Sequence, residues 1–187
     1  MSGHLPIVDP VTIREASDRD LDTAATLAAS TFRQHYPGII SDAQIEYMLT
    51  HRYSAAALRR QRQEGQVFLL ALVNRNPVAF ASFGLSQEET SEVQIHKLYV
   101  LPEHQGQRIG VRLIDEVTTR VLRLERRRLV LTVNRLNIQA INFYFREGFT
   151  LRSAVDIDIG GGYVMADFVM EKPIGDLGTR RLTRRPA

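Results

Sequence analysis

A helix between two apolar strands constrains the fold of this chain more than any other feature. The segment EVQIHKLYV, residues 92–100, has the composition of a strand, and RLVLTV, residues 128–133, is almost wholly apolar, as expected for a strand buried on both faces. Between them, one face of a predicted helix carries the apolar residues Ile109, Leu113, Val117, Val121 and Leu124. A strand, a helix and a strand in this order form a right-handed crossover, so the two strands are predicted to be parallel neighbours.

Antiparallel strands and further helices are predicted around this crossover. A strand at 11–17 precedes three predicted helices, and strands at 67–73 and 78–83 flank the turn NRNP. A helix at 138–147 ends before Gly148, and a last hairpin turns at three glycines. We therefore predict an α/β (mixed α+β) fold with a mixed, mostly antiparallel central sheet and helices on both faces.

The length of 187 residues predicts one domain. We expect an N-terminal extension at 1–10, a folded domain at 11–175 and a basic, disordered tail at 176–187. The tail holds four arginines and one acid, so it accounts for the whole net charge of +3. Nucleic-acid binding through the tail is an alternative. No basic or aromatic platform elsewhere supports it, so we expect no nucleic-acid partner.

Several functional classes are excluded by what the sequence lacks. The absence of cysteine excludes a disulfide framework, a thiolate metal site and a cysteine nucleophile. No apolar run is long enough to cross a bilayer, and MSGHLPIVDP lacks the basic and apolar blocks of a signal peptide. We therefore expect a cytoplasmic protein with no metal site and no membrane partner.

The apolar pattern changes phase inside the strand at 92–100. Val93 and Ile95 occupy odd positions, whereas Leu98 and Val100 occupy even ones. Because strand side chains alternate between faces, this shift predicts an extra residue, a β-bulge, near His96. A bulge would free backbone N–H groups from the strand ladder. The alternative is an unbroken strand with an aromatic residue on the inner face.

The corner between this strand and the long helix has the features of an anion site. Gly106 and Gly110 allow an oxygen to approach the backbone, and no acid lies between Glu103 and Asp115. The first turn of a helix adds unpaired N–H groups and partial positive charge. The lysine of a P-loop and the full dinucleotide fingerprint are missing. We expect the corner to hold a diphosphate. The alternative is that the glycines only allow the chain to turn at this corner and that no ligand binds there.

Two motifs in this region resemble those of a known family. LYVLPEHQGQRIGVRL resembles motif A of the GNAT superfamily of N-acetyltransferases, with its Q/R-x-x-G-x-G/A signature. NIQAINFYFREGF, residues 137–149, resembles the motif that follows it. The resemblance covers about residues 11–172. Within the family, the chain loosely resembles the branch that includes bacterial polyamine acetyltransferases. Arg108 stands where the signature has its first glycine, so its side chain must point away from a diphosphate.

The resemblance implies acetyl-CoA as the cofactor, with CoA as the product. The pantetheine would run along Leu98, Tyr99 and Val100, between two splayed parallel strands. The residues expected around the diphosphate are Gly106, Gln107, Arg108, Ile109, Gly110 and Val111. Asn137 matches the family's cofactor-contacting asparagine and is equally well placed to cap the helix that follows it.

The chemistry of acetyl transfer to an amine needs a group that accepts a proton and an acid for the leaving thiolate. Tyr144 matches the tyrosine that family members use near the CoA sulfur, and the backbone N–H of Leu98 is the expected donor to the thioester oxygen. His96 lies where several members have a glutamate, and histidine suits the role of base. Glu92 and a chain of waters are the alternatives.

The acceptor amine is expected to bind against the helices that follow the first strand. His35, Tyr36, Glu46 and Tyr47 are the candidate contacts, since a carboxylate suits a cationic amine. Glu46, with Asp42, is equally placed to stabilise a helix N-terminus. The last hairpin is a second candidate wall, with Asp156, Asp158, Tyr163 and Asp167.

From these elements we predict an acetyl-CoA-dependent N-acetyltransferase, an acyltransferase that moves an acetyl group directly to a primary amine of a small molecule. A polyamine or another cationic amine fits this prediction. The alternatives are a non-catalytic acetyl-CoA-binding sensor or interaction module, and a protein N-terminal or lysine acetyltransferase. An exposed strand in the last hairpin additionally predicts an edge through which a homodimer forms.

Overall fold

The computed structural model describes residues 11–86 and 91–175, which form one sheet with helices on both faces. The strands are β1 (Val11–Glu15), β2 (Val67–Val73), β3 (Asn76–Leu85), β4 (Glu92–Val100), β5 (Arg128–Asn134), β6 (Thr150–Gly160) and β7 (Tyr163–Pro173). The helices are α1 (Asp20–His35), α2 (Asp42–His51), α3 (Ala55–Gln63), α4 (Ile109–Arg123) and α5 (Ile138–Arg146).

The strand order β1-β2-β3-β4-β5-β7-β6 confirms the predicted architecture. β4 and β5 are parallel and are joined through α4, whereas each of the other neighbouring pairs is antiparallel. The apolar stripe of α4 determines this arrangement, because it must pack back onto the sheet between the two strands that it connects. The sheet is therefore mixed and mostly antiparallel, as expected.

Helices on the two faces of the sheet create two apolar cores. α4 and α5 cover one face, where Leu113 of α4 and Leu69 of β2 are fully buried. α1, α2 and α3 cover the other face, where Phe32 of α1 and Phe68 of β2 are almost fully buried. Adjacent residues of one strand reach different cores because successive strand side chains point to opposite faces. Each such large apolar side chain contributes about 1.5–3 kcal/mol when it is buried.

The predicted β-bulge is present in β4. Opposite β3, Lys97 pairs with Ser82 and Ile95 pairs with Phe83, so His96 is an extra residue without a partner in that register. The bulge explains the phase change in the sequence: Ile95 before it and Leu98 after it both pack toward α4 and its core. The alternative of an unbroken strand is wrong.

Some boundaries differ from the predicted ones. β1 ends at Glu15, and the turn between β2 and β3 contains only Asn74 and Arg75. Both turn residues have positive φ, 49° and 67°, as in the tight hairpin turns whose twist matches the flanking strands. The predicted extension 1–10 and tail 176–187 lie outside the described residues. Within the described ranges, no helix has the length and apolar character needed to span a membrane.

Candidate active site

The two parallel strands separate halfway along their length. β4 pairs with β5 only from Glu92 opposite Arg128 to Ile95 opposite Leu131. Beyond that point β5 continues along β7, whereas β4 continues along β3. A cavity of about 1150 Å³ opens at this divergence and is lined by both strands, the corner before α4, and α5. The bulge at His96 begins where the pairing ends, so the backbone of β4 is turned toward the cavity.

The corner before α4 carries its predicted anion-binding geometry in the backbone. Gly106 has φ 77° and Arg108 has φ 61°, and α4 begins at Ile109. Left-handed residues directly before a helix turn successive N–H groups inward, which makes a concave site for anions. The corner residues on the cavity wall are Gly106, Arg108, Ile109, Gly110 and Val111.

Arg108 takes a left-handed conformation that costs a non-glycine residue about 1–2 kcal/mol. The backbone therefore keeps the conformation that the glycine of the family signature would adopt, and the arginine side chain is exposed. Gln107 differs from the prediction, because it is exposed, is not among the cavity-lining residues, and donates through Nε2 to the carbonyl of Glu103 at 3.4 Å. Its side chain is thus directed back along the corner.

Gly110 is required by packing between α4 and α5. A Cβ at this position would lie 3.1 Å from Cζ of Phe143 on α5. We expected the glycine to admit a ligand oxygen, and the structure adds a steric reason for it. The corner is also joined to neighbouring elements by Gln105, which accepts from Gln139 at 3.0 Å and donates to the carbonyl of Val100 at 3.2 Å.

Tyr144 lies on α5 and faces the cavity. The residue is 8% exposed, and burial together with the nearby Tyr36 raises the pKa of its phenol. Within the described ranges, no side chain or backbone group hydrogen-bonds its hydroxyl. Tyr36 directly follows α1 on the other face of the sheet, so Tyr144 lies near the point where the two helical layers approach each other through the gap.

His96 and Lys97 line the cavity at the bulge. Burial, and secondarily the charge of Lys97, lowers the pKa of His96 to about 4, so its imidazole is neutral at pH 7. Burial, and secondarily Arg52, lowers the pKa of Lys97 to about 7. The Lys97 ammonium donates to Oε1 of Gln61 at 2.5 Å and lies 5.2 Å from the centre of the Tyr53 ring. We did not predict a functional position for Lys97. The presence of a lysine inside a central, mostly apolar strand is the sequence feature that could have indicated one.

Glu92, the alternative base, lies away from the cavity. It is 1% exposed and accepts from Arg152 at 2.8 Å and from Arg128 at 3.3 Å. Its carboxylate is therefore occupied by two guanidinium groups and does not contribute to the cavity wall. This removes Glu92 from the candidates for proton transfer with an acceptor.

Asn137 joins the two helical layers at the cavity. Its Oδ1 accepts from the backbone N–H of Ala140 at 3.1 Å, which confirms the predicted N-cap of α5. The same oxygen lies 3.0 Å from Nε2 of His35 on α1, so His35 must donate from Nε2. Contact between Asn137 and a cofactor stays a prediction.

A group of three tyrosines closes the cavity on the side of α1. The hydroxyls of Tyr53 and Tyr99 are 2.7 Å apart, and the Tyr36 ring lies on the same side of the cavity, stacked on Phe32 with 4.4 Å between ring centres. Burial raises the pKa of each of the three phenols. The Tyr99 side chain packs against the core on the α1 side of the sheet, and the residue also lines the cavity.

The structure separates the four predicted acceptor contacts into two pairs. His35 and Tyr36 line the cavity, as expected. Glu46 is exposed and paired with Arg33 at 3.0 Å, and Tyr47 donates to the carbonyl of Ile159 at 3.0 Å. The prediction for these two is corrected, because α2 turns Ile45, Met48 and Leu49 toward the core and leaves 46 on its outer side.

The second candidate wall, the last hairpin, contributes only one of its four named residues to the cavity. Asp156 pairs with Arg135 at 2.8 Å, and Oδ1 of Asp158 accepts from the N–H of Gly160 at 2.8 Å. Tyr163 packs against Tyr47 with 5.1 Å between ring centres. Asp167 alone lines the cavity, where it is 5% exposed.

Comparisons with known proteins agree with this geometry. The family model described as Acetyltransferase (GNAT) family matches residues 30–149. A spermidine N(1)-acetyltransferase of Thermoplasma acidophilum is 27% identical over 167 residues, which cover 87% of this chain and 96% of that protein.

Solved structures give the same result for the fold. A PaiA N-acetyltransferase from Thermoplasma acidophilum in complex with coenzyme A superposes with a TM-score of 0.74 at 27% identity, covering 88% of this chain and 99% of the other. A GCN5-related N-acetyltransferase from Rhodopseudomonas palustris has a TM-score of 0.75 at 23% identity, covering 92% and 100%, and shares the fold.

Proposed function

The chain belongs to the GNAT family of acetyltransferases, and from this premise we propose that it moves an acetyl group from acetyl-CoA directly to a primary amine of a small molecule. One observation carries the proposal. The gap between β4 and β5, the left-handed corner before α4 and the Tyr144 side chain all face the same cavity.

The residues around the gap fit the shape and charge of acetyl-CoA. The corner offers unpaired backbone N–H groups at a helix start, which suit a diphosphate. The edge of β4 beyond Ile95 offers backbone groups to a pantetheine amide. When bound, acetyl-CoA supplies an acetyl group activated as a thioester. Leu98, Tyr99 and Val100 would hold the pantetheine, and the corner from Gly106 to Val111 would hold the diphosphate.

Two groups of this chain would then act on the reacting atoms. The backbone N–H of Leu98, just after the bulge, would donate to the thioester oxygen as it gains charge. The Tyr144 hydroxyl is the acid for the leaving sulfur. Burial raises its pKa, so the phenol is protonated across the working pH range and can donate to a thiolate.

The acceptor side of the cavity favours a catalytic enzyme over a non-catalytic acetyl-CoA-binding sensor. The cavity continues past the tyrosines to Met48, Gln61 and Glu64 of the helical layer, which leaves space for a second substrate. The similarity to a spermidine N(1)-acetyltransferase makes polyamines one candidate class of acceptor. A protein N-terminus or lysine remains the alternative acceptor.

Three further proposals concern the domain bounds, the cellular compartment and the oligomeric state. We propose that residues 11–175 are the catalytic domain and that the protein acts in the cytoplasm. β6 is an edge strand of the sheet, so a homodimer through this edge stays a prediction.

A panel of amines with acetyl-CoA, measured as free thiol release, tests the proposed function. The panel includes polyamines, aminoglycosides, monoamines and a peptide with a free N-terminus and a lysine. We expect turnover with at least one small amine. Thiol release only with the peptide would assign the alternative acceptor, and CoA binding without thiol release would assign the sensor.

The Tyr144→Phe variant tests the proposed acid in the same assay. We expect kcat to fall roughly 100-fold while the affinity for acetyl-CoA changes little, because the ring remains and only the proton is lost. Tyr163→Phe removes a hydroxyl from a half-buried tyrosine outside the cavity and is the matched control. Equal kcat in Tyr144→Phe and wild type would remove the acid role.

A further inference from the structure

Asp167 is a buried carboxylate on the cavity wall that forms no ion pair with any residue that the structure describes. It lies on β7 opposite Asn134 of β5, on the sheet face that α1 covers. Its Oδ1 is buried and has no hydrogen-bond partner within the described ranges. A buried oxygen without a partner loses its hydration without compensation, which a protein tolerates where a ligand supplies the missing donor.

The groups around Asp167 leave this oxygen available. Thr132 of β5 acts to lower the pKa of the carboxyl, and the charge of Asp167 raises the pKa of Tyr36 and Tyr53 in the helical layer. Arg135 is the nearby cation, but its guanidinium donates to the carbonyl of Val155 at 2.8 Å, to Asp156 at 2.8 Å and to the backbone carbonyl of Asp167 at 3.2 Å.

The other charges of the wall do not provide a second site for a cation. Among the described cavity-lining residues, the other carboxylates are Glu64 and Glu147. Glu64 lies 4.0 Å from Arg60, and Glu147 follows the C-terminal end of α5. Arg52, on the wall, would repel an additional positive charge on the acceptor, and Lys97 would do so below about pH 7.

Apolar side chains continue the wall next to Asp167. Met165 and Ile159 of the same hairpin and Met48 of α2 line the cavity, and each is less than 9% exposed. Ile157 of β6 lines it as well. This combination suits an amine whose single ammonium meets a carboxylate while an alkyl or aryl body meets an apolar surface.

We infer that Asp167 binds the ammonium of the acceptor and accepts its proton, and that the preferred acceptor is a primary monoamine with an apolar body. The inference rests on the proposed function and makes it more specific. His96 is less suited, because it is neutral and carries no charge to attract an ammonium.

The protons balance in this assignment. The ammonium loses one proton to Asp167, which passes it to solvent through the open cavity. The nitrogen lone pair then forms the bond to the acetyl carbon, and the bond from that carbon to sulfur breaks. The sulfur takes a proton from Tyr144, and the proton that leaves the new amide nitrogen restores the phenol.

The pH dependence of turnover follows from the surroundings of Asp167. Burial raises the pKa of this carboxyl to about 6, against the opposing effects of Thr132 and Arg135. The other titratable groups that face it are Tyr36 and Tyr53, and their raised pKa values leave them neutral at pH 6–8. We expect kcat/KM for the amine to fall as the pH drops below about 6.

The Asp167→Asn variant tests the inference with 2-phenylethylamine, n-hexylamine and spermidine as acceptors. We expect kcat/KM for the monoamines to fall about 100-fold, the acid limb near pH 6 to disappear, and CoA affinity measured by calorimetry to stay within twofold. Asp158→Asn is the matched control, because Asp158 is exposed on the same hairpin and asparagine keeps the bond to Gly160. We expect this control to behave as wild type.

The outcomes separate this inference from the proposed function. Wild-type turnover with an unchanged kcat/KM or an unchanged acid limb in Asp167→Asn would overturn the role of Asp167 alone. A higher kcat/KM for spermidine than for both monoamines would overturn the monoamine preference. If the wild type releases no thiol with any amine, the proposed function fails. Calorimetry of 2-phenylethylamine with the CoA complex then decides: binding lost in Asp167→Asn supports the inference, and equal or absent binding overturns it.

Discussion

At the residue scale, burial changes the proton affinities of the cavity side chains in opposite directions. It lowers the pKa of His96 to about 4 and that of Lys97 to about 7, and it raises that of Asp167 to about 6. The common cause is the cost of keeping a charge away from water, which favours the neutral form of each group. Lys97 and Asp167 therefore exchange protons near neutral pH, whereas His96 stays neutral there.

Asp167 is expected to lower the stability of the free protein at high pH. An aspartate in the unfolded chain titrates near 3.9, and the folded state raises this pKa to about 6. Below about pH 4 both states are protonated and no difference arises. Between these values the unfolded state releases its proton first, so stability falls as the pH rises, and the loss is complete above about 6.

Asp167→Asn should therefore be more stable than the wild type by roughly 2–3 kcal/mol at pH 8, with the difference vanishing below pH 4. Urea unfolding at both pH values measures this difference. Asp158→Asn, on the same hairpin but exposed, should show no such pH-dependent gain. Equal stability of Asp167→Asn and wild type at pH 8 would contradict a buried carboxylate without compensation.

At the scale of single elements, the bulge and the corner align the two ends of the site. The bulge at His96 moves the residues after it by one position, so Leu98 packs toward α4 while the strand edge faces the gap. The left-handed residues Gly106 and Arg108 start α4 with its first N–H groups toward the same gap. Both features act through the backbone, which explains why Arg108 can replace a glycine there.

Close packing between α4 and α5 determines the position of Tyr144. In Gly110→Ala, the new Cβ would lie 3.1 Å from Phe143, the neighbour of Tyr144 on α5. Overpacking of this kind costs about 1–3 kcal/mol, whereas alanine gains about 1 kcal/mol in helix propensity. We expect a net loss of about 1 kcal/mol in the free energy of unfolding, together with weaker CoA binding and lower kcat.

A double-mutant cycle checks the steric origin of this effect. Phe143→Leu removes the ring that Gly110→Ala would contact, so adding alanine in that background should cost less than half as much. Urea unfolding gives the stabilities, and calorimetry gives the CoA affinities. The same loss in both backgrounds would place the cause elsewhere in the corner.

At the scale of the whole molecule, the cavity lies where the two helical layers meet through the divided sheet. α4 and α5 contribute from one face, and α1 and α2 contribute from the other. The contact between His35 and Asn137 joins these layers at the cavity. A ligand in the gap would therefore stabilise the described domain as a unit rather than a single loop.

CoA should raise the melting temperature of the protein accordingly. At a CoA concentration 100 times Kd, binding to the folded state alone adds about 2.7 kcal/mol. For a chain of this size that corresponds to a shift of roughly 5–10 °C. Differential scanning calorimetry with CoA, and with adenosine as a control without diphosphate or pantetheine, measures it. No shift at millimolar CoA would contradict the cofactor site.

The sequence alone determined the order of elements, the parallel β4–β5 pair, the bulge and the family, because each depends on residues close together along the chain. These features are local patterns: helical and strand periodicities, glycine positions and the two motifs. The residues of each pattern are close in sequence, so the local backbone conformation determines their relative positions. The corner followed from those patterns, whereas the candidate roles of Tyr144 and His96 came from the resemblance of the motifs to the GNAT family.

Only the tertiary structure decided which acidic and aromatic residues share the cavity. Glu46, Asp156 and Asp167 are equivalent carboxylates in the sequence, yet Glu46 pairs with Arg33 and Asp156 pairs with Arg135, whereas Asp167 retains a buried oxygen that finds no partner among the described residues. Whether a carboxylate is neutralised depends on which arginine a distant element brings within about 3 Å. Such contacts between residues far apart in the chain arise from packing, and no local pattern encodes them.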